Sequence, residues 1–128
     1  PKEIGEENIY EKLEQTHSNL KVLMGDVVHL IKEADIVCTV YSTTGYLALF
    51  LKKKLIIMEK KNCAPRSIYH EHDVAELVTS KKEFFNSIKK NDDSSIDKRK
   101  ENFLRKTFSS KNNVSVIRKR AEIIEKNV

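Results

Sequence analysis

Apolar positions recur along this chain in two alternating periods. Residues 7–16 carry Ile9, Tyr10 and Leu13 at helical spacing, which predicts an amphipathic helix. Residues 20–24, Leu-Lys-Val-Leu-Met, form a short strand candidate. Gly25 then interrupts, and Asp26 is suited to cap a helix over 27–32 with Val27, Leu30 and Ile31 facing inward. Residues 36–40, Ile-Val-Cys-Thr-Val, make a β-branched run of the kind found in buried parallel strands. Residues 44–51 are apolar nearly all round, so that helix is expected to be packed on both sides. Leu-Ile-Ile-Met at 55–58 is the next strand.

The stretch after Glu59 is irregular and contains Pro65. A last short strand is expected within 73–78. Ser80 and Glu83 spell a capping box that opens a helix carrying Phe84, Phe85 and Ile88. A polar break at 91–95 separates it from a helix over 96–108. A final helix over 114–126 places Val114, Ile117, Ala121 and Ile124 on one face. Strand and helix alternate first, and helices dominate later. That order predicts an α/β fold, a Rossmann-like parallel sheet of three or four strands with helices on both faces and a helical C-terminal extension. The strand at 36–40 is expected at its centre.

The 128 residues suit one domain. The formal charge of +5 comes from 24 basic and 19 acidic residues mixed along the chain, without the single basic stripe of a nucleic-acid binder. Lys52, Lys53 and Lys54 read as a loop between two apolar segments. Cys38, placed in the core strand, and Cys63, in a loop, do not form a disulfide framework. Cys63, His70 and His72 lack a second cysteine at ligand spacing, so no metal site is expected. No signal peptide is visible, and no apolar run approaches the roughly 18–20 residues of a membrane helix. A cytoplasmic location is therefore expected.

The stretch with most chemistry is the turn between the 36–40 strand and the following helix. Ser42, Thr43 and Thr44 bring hydroxyls to a helix start, and Gly45 leaves room for close approach to the backbone. The first N–H groups of a helix are unpaired and its dipole favours negative charge, so this turn is a candidate phosphate site. In open parallel sheets ligands sit beyond the carboxyl ends of the strands, where this turn lies. The alternative is an ordinary N-cap, with Ser42 or Thr43 satisfying helix N–H groups.

The series of a Gly-Asp helix start, Ala34-Asp35-Ile36-Val37, Ser42-Thr43-Thr44-Gly45, an apolar helix, a lysine-rich turn and Leu55-Ile56-Ile57 resembles the C-terminal nucleotide-binding half of a GT-B glycosyltransferase. The likeness is to capsule and surface-polysaccharide enzymes, with glycerophosphotransferases that use CDP-glycerol nearby. It implies one Rossmann-like domain over 1–128, a fragment without the N-terminal acceptor-binding half; Pro1, Lys2 and Glu3 look like the tail of the family's His-Pro motif. It further implies a nucleotide-activated sugar or CDP-glycerol as donor, no other cofactor, the missing half as partner, and peripheral membrane association of the full enzyme. Where the family pattern Glu-Ala-Leu-x-x-Gly-Lys-Pro would fall, this chain has Leu47, Ala48, Leu49, Phe50, Leu51, Lys52, Lys53 and Lys54. The Glu that often holds ribose is Leu47, so the implied contact is to phosphate.

On that reading Ser42, Thr43, Thr44 and Gly45 hold the leaving phosphate. Lys60 and Arg66 add positive charge, Tyr41 stacks on base or sugar, and Tyr69 and His70 belong to the loop that closes over donor. No general base is identifiable, and the isolated chain is expected to be inactive, because a GT-B site lies between two halves. Two alternatives stand beside it: a UDP-N-acetylglucosamine 2-epimerase-like domain, against which Leu47 tells, and a non-enzymatic α/β partner-binding module.

Overall fold

A computed structural model describes residues 9–40, 42–59 and 67–108 of the chain. Its elements run α1 (Ile9–Thr16), α2 (Val27–Glu33), β1 (Ile36–Thr39), α3 (Thr44–Phe50), β2 (Lys54–Met58), α4 (Ile68–Glu71), β3 (Glu76–Val78), α5 (Lys81–Lys89) and α6 (Ile96–Thr107). The expected helix over 114–126 lies outside the described residues. The three strands form one parallel sheet in the order β1-β2-β3. The fold is thus a small α/β unit, Rossmann-like in outline.

Register sorts the strand residues into two faces. Val37 pairs with Leu55, and Thr39 with Ile57, which in turn pairs with Leu77. This face meets the main core, where Val37, Leu55 and Ile57 pack with Ile31, Ala48, Leu49, Tyr69, Val74, Phe103 and Leu104. Helices α3 and α6 and the segment around Tyr69 lie on it. The other face carries Cys38, Ile56 and Glu76 in one row. Helix α5 covers its β3 side, where the Ser87 hydroxyl donates to Glu76 at 2.6 Å. Helices therefore cover both faces, and Leu55, Ile56 and Ile57 in the middle strand are all buried.

Several expectations change. The central strand is β2; β1, expected there, forms an edge. Cys38 consequently stands exposed on the less covered face, although partial burial of its thiol pushes its pKa up. Residues 20–24 form no strand. On α2, Ile31 is buried while Val27 and Leu30 remain exposed, as does the whole apolar face of α1. The caps agree better with the residue pattern. Asp26 Oδ1 accepts the Val28 N–H at 2.9 Å. Ser80 Oγ accepts the Glu83 N–H at 3.3 Å, and the Glu83 carboxylate reaches back to the Thr79 N–H at 2.7 Å, one residue beyond the usual capping box. Among the described residues no helix is long and apolar enough to cross a membrane.

The Lys52-Lys53-Lys54 turn is structural and not merely solvated. Lys53 Nζ donates to the Lys32 carbonyl at 2.7 Å, near the end of α2. Lys54 Nζ donates to the carbonyls of Ser87 and Lys90 at the end of α5. A cation at a helix C-terminus satisfies free carbonyls and opposes the negative end of the dipole. Lys52 itself adopts φ 54°, in the left-handed region. That conformation costs an L-residue roughly 1 kcal/mol that glycine avoids. Lys52→Gly is therefore expected to raise stability by up to about 1 kcal/mol, read as a higher urea midpoint. An unchanged or lower midpoint would contradict this account of the turn.

Candidate functional site

The turn after β1 stands at the carboxyl end of the sheet. Ser42 Oγ accepts the Thr44 N–H at 3.1 Å and donates to Thr44 Oγ1 at 2.7 Å. The Gly45 N–H bonds to the Ser42 carbonyl at 3.1 Å, and the Tyr46 N–H to the Thr43 carbonyl at 3.0 Å. Three N–H groups at the start of α3 thus have partners within the turn. Thr43 is exposed. Among the described residues the Thr43 N–H has no backbone partner and the Thr43 side chain makes no cap hydrogen bond, while the Thr44 hydroxyl accepts from Ser42 and keeps its own proton to donate. Ser42 does the capping that the alternative reading foresaw.

Gly45 is buried in the core, and the space beside it is filled by Tyr69. A Cβ at position 45 would lie 2.6 Å from Tyr69 Cζ and 2.9 Å from its Oη. From there the Tyr69 hydroxyl donates to the Ser42 carbonyl at 2.9 Å. Its ring meets Tyr46 edge-on at 5.1 Å between centroids, and Phe103 at 6.1 Å. Glycine is thus required here by a neighbouring side chain. Tyr69 does not reach into solvent as a loop residue would; it ties the segment after β2 to the turn after β1.

Burial pushes the Tyr69 phenol up to about 12 from an ordinary 10.0. Below pH 10.0 folded and unfolded chains both hold that proton. Between 10.0 and about 12 the unfolded chain releases it and the folded chain keeps it, so stability falls as pH rises through that window. Tyr69→Phe lacks this component. Its stability deficit relative to the parent should therefore narrow between pH 10.0 and about 12 in urea titrations. A deficit constant with pH would show that the phenol is not held protonated by the fold.

His70 parts company with Tyr69. It lines a cleft of about 570 Å³ at the amino ends of the strands, together with Ala75, Asp92 and Arg99. The charges lining this cleft are engaged with one another. Arg99 Nη1 meets Asp93 Oδ2 at 2.8 Å, and Ser95 bonds to the same carboxylate. The Ser95 N–H, which donates to Asp93 Oδ1 at 2.6 Å, and then the Arg99 and Ser95 side chains hold the Asp93 carboxyl at about 2, below the usual carboxylate range. Lys100, buried on α6, contacts Asp92 Oδ2 at 3.4 Å and the Lys53 carbonyl at 3.2 Å. Lys54 lies 3.7 Å from Glu76 and 4.0 Å from Asp92. The network joins β2, β3, α5 and α6 at one corner.

Tyr41, Lys60 and Arg66 lie outside the described residues, as does Cys63. Leu47 packs half-buried against the core, offering nothing to a ribose. Among the described residues no group of three or more His, Cys, Asp or Glu side chains is placed to hold a metal. Sequence reasoning missed the Gly45–Tyr69 pairing and the Lys100–Asp92 contact. A signal for the second was present: Ile96, Lys100, Phe103 and Leu104 share one helical face, so Lys100 interrupts an apolar stripe. Compared with known proteins, the chain matches no family model, no curated protein and no solved structure.

Proposed function

We propose that this chain is the donor-nucleotide-binding domain of a glycosyltransferase or glycerophosphotransferase of GT-B build, acting in surface-polysaccharide synthesis. The single observation that supports it is positional. The hydroxyl turn of Ser42, Thr43 and Thr44 stands at the carboxyl end of a parallel sheet, held by Tyr69 from the next crossover. On this reading the phosphate contacts fall to a smaller set of donors. With the Thr44, Gly45 and Tyr46 N–H groups engaged internally, the contacts come from the Thr43 N–H and the Thr43 and Thr44 hydroxyls. These donors stabilise charge developing on the leaving phosphate as the donor bond breaks. Acceptor and general base belong to a second half, so this chain alone turns over no nucleotide sugar or CDP-glycerol.

Isothermal titration with UDP and with CDP tests the reading. A Kd in the millimolar range, about −4 kcal/mol, is expected for half a cleft. Thr43→Ala should weaken it about fivefold, the loss of one hydroxyl contact to a charged group, without moving the melting temperature. Binding indifferent to Thr43 would overturn the site. A second reading, a non-enzymatic α/β module that binds a partner, draws on the same internal pairing of the helix-start N–H groups. No heat with either nucleotide at saturating concentration would select it.

A further inference from the structure

The sheet ends abruptly at β1. Its inner side pairs with β2, while its outer side hydrogen-bonds to no described residue. Earlier in the chain, before the 25–35 segment that leads into β1, residues 21–24 have no backbone hydrogen bond to any described residue either. Their apolar side chains are set toward solvent: Leu23 is 58% exposed and Met24 94%. Buried or edge backbone groups normally find partners, and a short segment of this composition fits a pleated edge.

Connectivity decides where such a segment belongs. Crossovers between parallel strands in one sheet are right-handed. The steps β1-α3-β2 and β2-α4-β3 both move in one direction across the sheet with their helices on the face of Val37, Leu55 and Ile57. Helix α2 lies on that same face, with Ile31 in the core and Lys53 bonded to its last turn. A parallel strand formed by residues 20–24, followed by α2 and then β1, keeps both the direction and the hand. It lands on the free side of β1. The intervening 25–35 segment is long enough for a βαβ crossover, which needs about 10–12 residues.

Gly25 is the hinge. It adopts φ +146°, a conformation that side-chain-bearing residues rarely take, and nothing lies within 4 Å of where its Cβ would be. Asp26 fixes the start of α2 immediately after it. The direction in which residues 20–24 leave α2 is thus set at one residue that sterics leave free to turn. We propose that residues 20–24 are a strap that closes onto the outer edge of β1 as a fourth parallel strand, with Gly25 as its hinge. In the closed form β1 becomes an interior strand. Its carboxyl end, and the Ser42 turn beyond it, then lie between two strands and not at a margin. This inference stands on the topology and does not depend on nucleotide binding.

Hydrogen exchange on the full chain, followed by NMR, tests it with three proteins. In the parent, amides of residues 22–24 should exchange at least about tenfold slower than an unstructured chain, with cross-strand contacts between protons of 20–24 and 36–39. Gly25→Ala disfavours the open φ without a steric clash, and should slow that exchange further. Val22→Pro removes a ladder donor, and should return both the segment and the outer amides of β1 to fast exchange while β2 and β3 stay protected. Coil-like exchange of 22–24 in both the parent and Gly25→Ala overturns the proposal. So does protection of the β1 edge that leaves 22–24 unprotected or that grows with protein concentration, which would assign the edge to a second copy.

Discussion

Gly45→Ala is expected to destabilise the fold by about 2 kcal/mol, against the usual sign for such a change in a helix. At an open helical position alanine is favoured over glycine by roughly 1 kcal/mol. Here the new methyl would lie 2.6–2.9 Å from three atoms of the Tyr69 ring. The ring cannot retreat freely, because Tyr46 and Phe103 pack around it. Overpacking of this kind costs about 1–3 kcal/mol, and displacing the ring also breaks the Tyr69–Ser42 hydrogen bond, worth about 1 kcal/mol. The two losses outweigh the propensity gain. A double-mutant cycle separates them. In a Tyr69→Leu background the clash is gone, and Gly45→Ala should become neutral or stabilising. Equal effects in both backgrounds, measured by urea unfolding, would mean that Tyr69 is not why glycine stands at 45.

The second large effect lies at the amino-end corner. Lys100 keeps only 3% of its side chain exposed, and Asp92 is its nearest carboxylate at 3.4 Å, with Asp97 at 3.8 Å. Asp92→Ala leaves a buried ammonium with a more distant partner and is expected to cost about 2 kcal/mol. Lys100→Met replaces the ammonium by apolar volume on a face already formed by Ile96, Phe103 and Leu104. The Asp92 that remains is partly exposed and stays within 4.0 Å of Lys54. That variant should change stability by less than about 1 kcal/mol in either direction. The contrast is diagnostic, because removing the carboxylate must hurt more than removing the lysine. The reverse order in thermal or urea unfolding would show that the corner depends on the long lysine side chain and not on its charge.

These two sites mark where the residue pattern can and cannot be read. The runs at 36–40 and 55–58 announced parallel strands because few other elements bury consecutive β-branched residues. Asp26 and Ser80 announced helix starts because their short polar side chains satisfy N–H groups locally. All of this is local chemistry. The position of β1 at an edge was not legible, since a buried-looking run does not say how many strands lie beyond it. Gly45 was legible as a position needing space, but the occupant, Tyr69, comes from 24 residues away and is brought there by the fold. The lysine run shows the same limit. Lys52, Lys53 and Lys54 look alike in the chain, yet one takes a left-handed turn and two reach the ends of different helices.

For the site, the hydroxyl turn was legible and its placement at a sheet's carboxyl end followed from the alternation of elements. The division of labour within it was not. Ser42 spends its hydroxyl on Thr44 and its carbonyl on Gly45 and Tyr69, which leaves Thr43 as the outward residue. Tyr69 and His70, adjacent in the chain, belong to opposite ends of the sheet. A helical residue and its neighbour point about 100° apart, so adjacency could not have kept them together.

The central claim, that the turn after β1 takes a nucleotide phosphate through Thr43 and Thr44, is most directly tested by NMR chemical-shift mapping. The chain would be titrated in parallel with CDP, UDP and cytidine. The account predicts saturable shifts centred on the Thr43 and Thr44 amides with the two diphosphates, weaker or absent with the nucleoside, and little change at His70, Asp92 or Arg99. Shifts centred on the amino-end cleft, or none at the turn at saturating nucleotide, would contradict it.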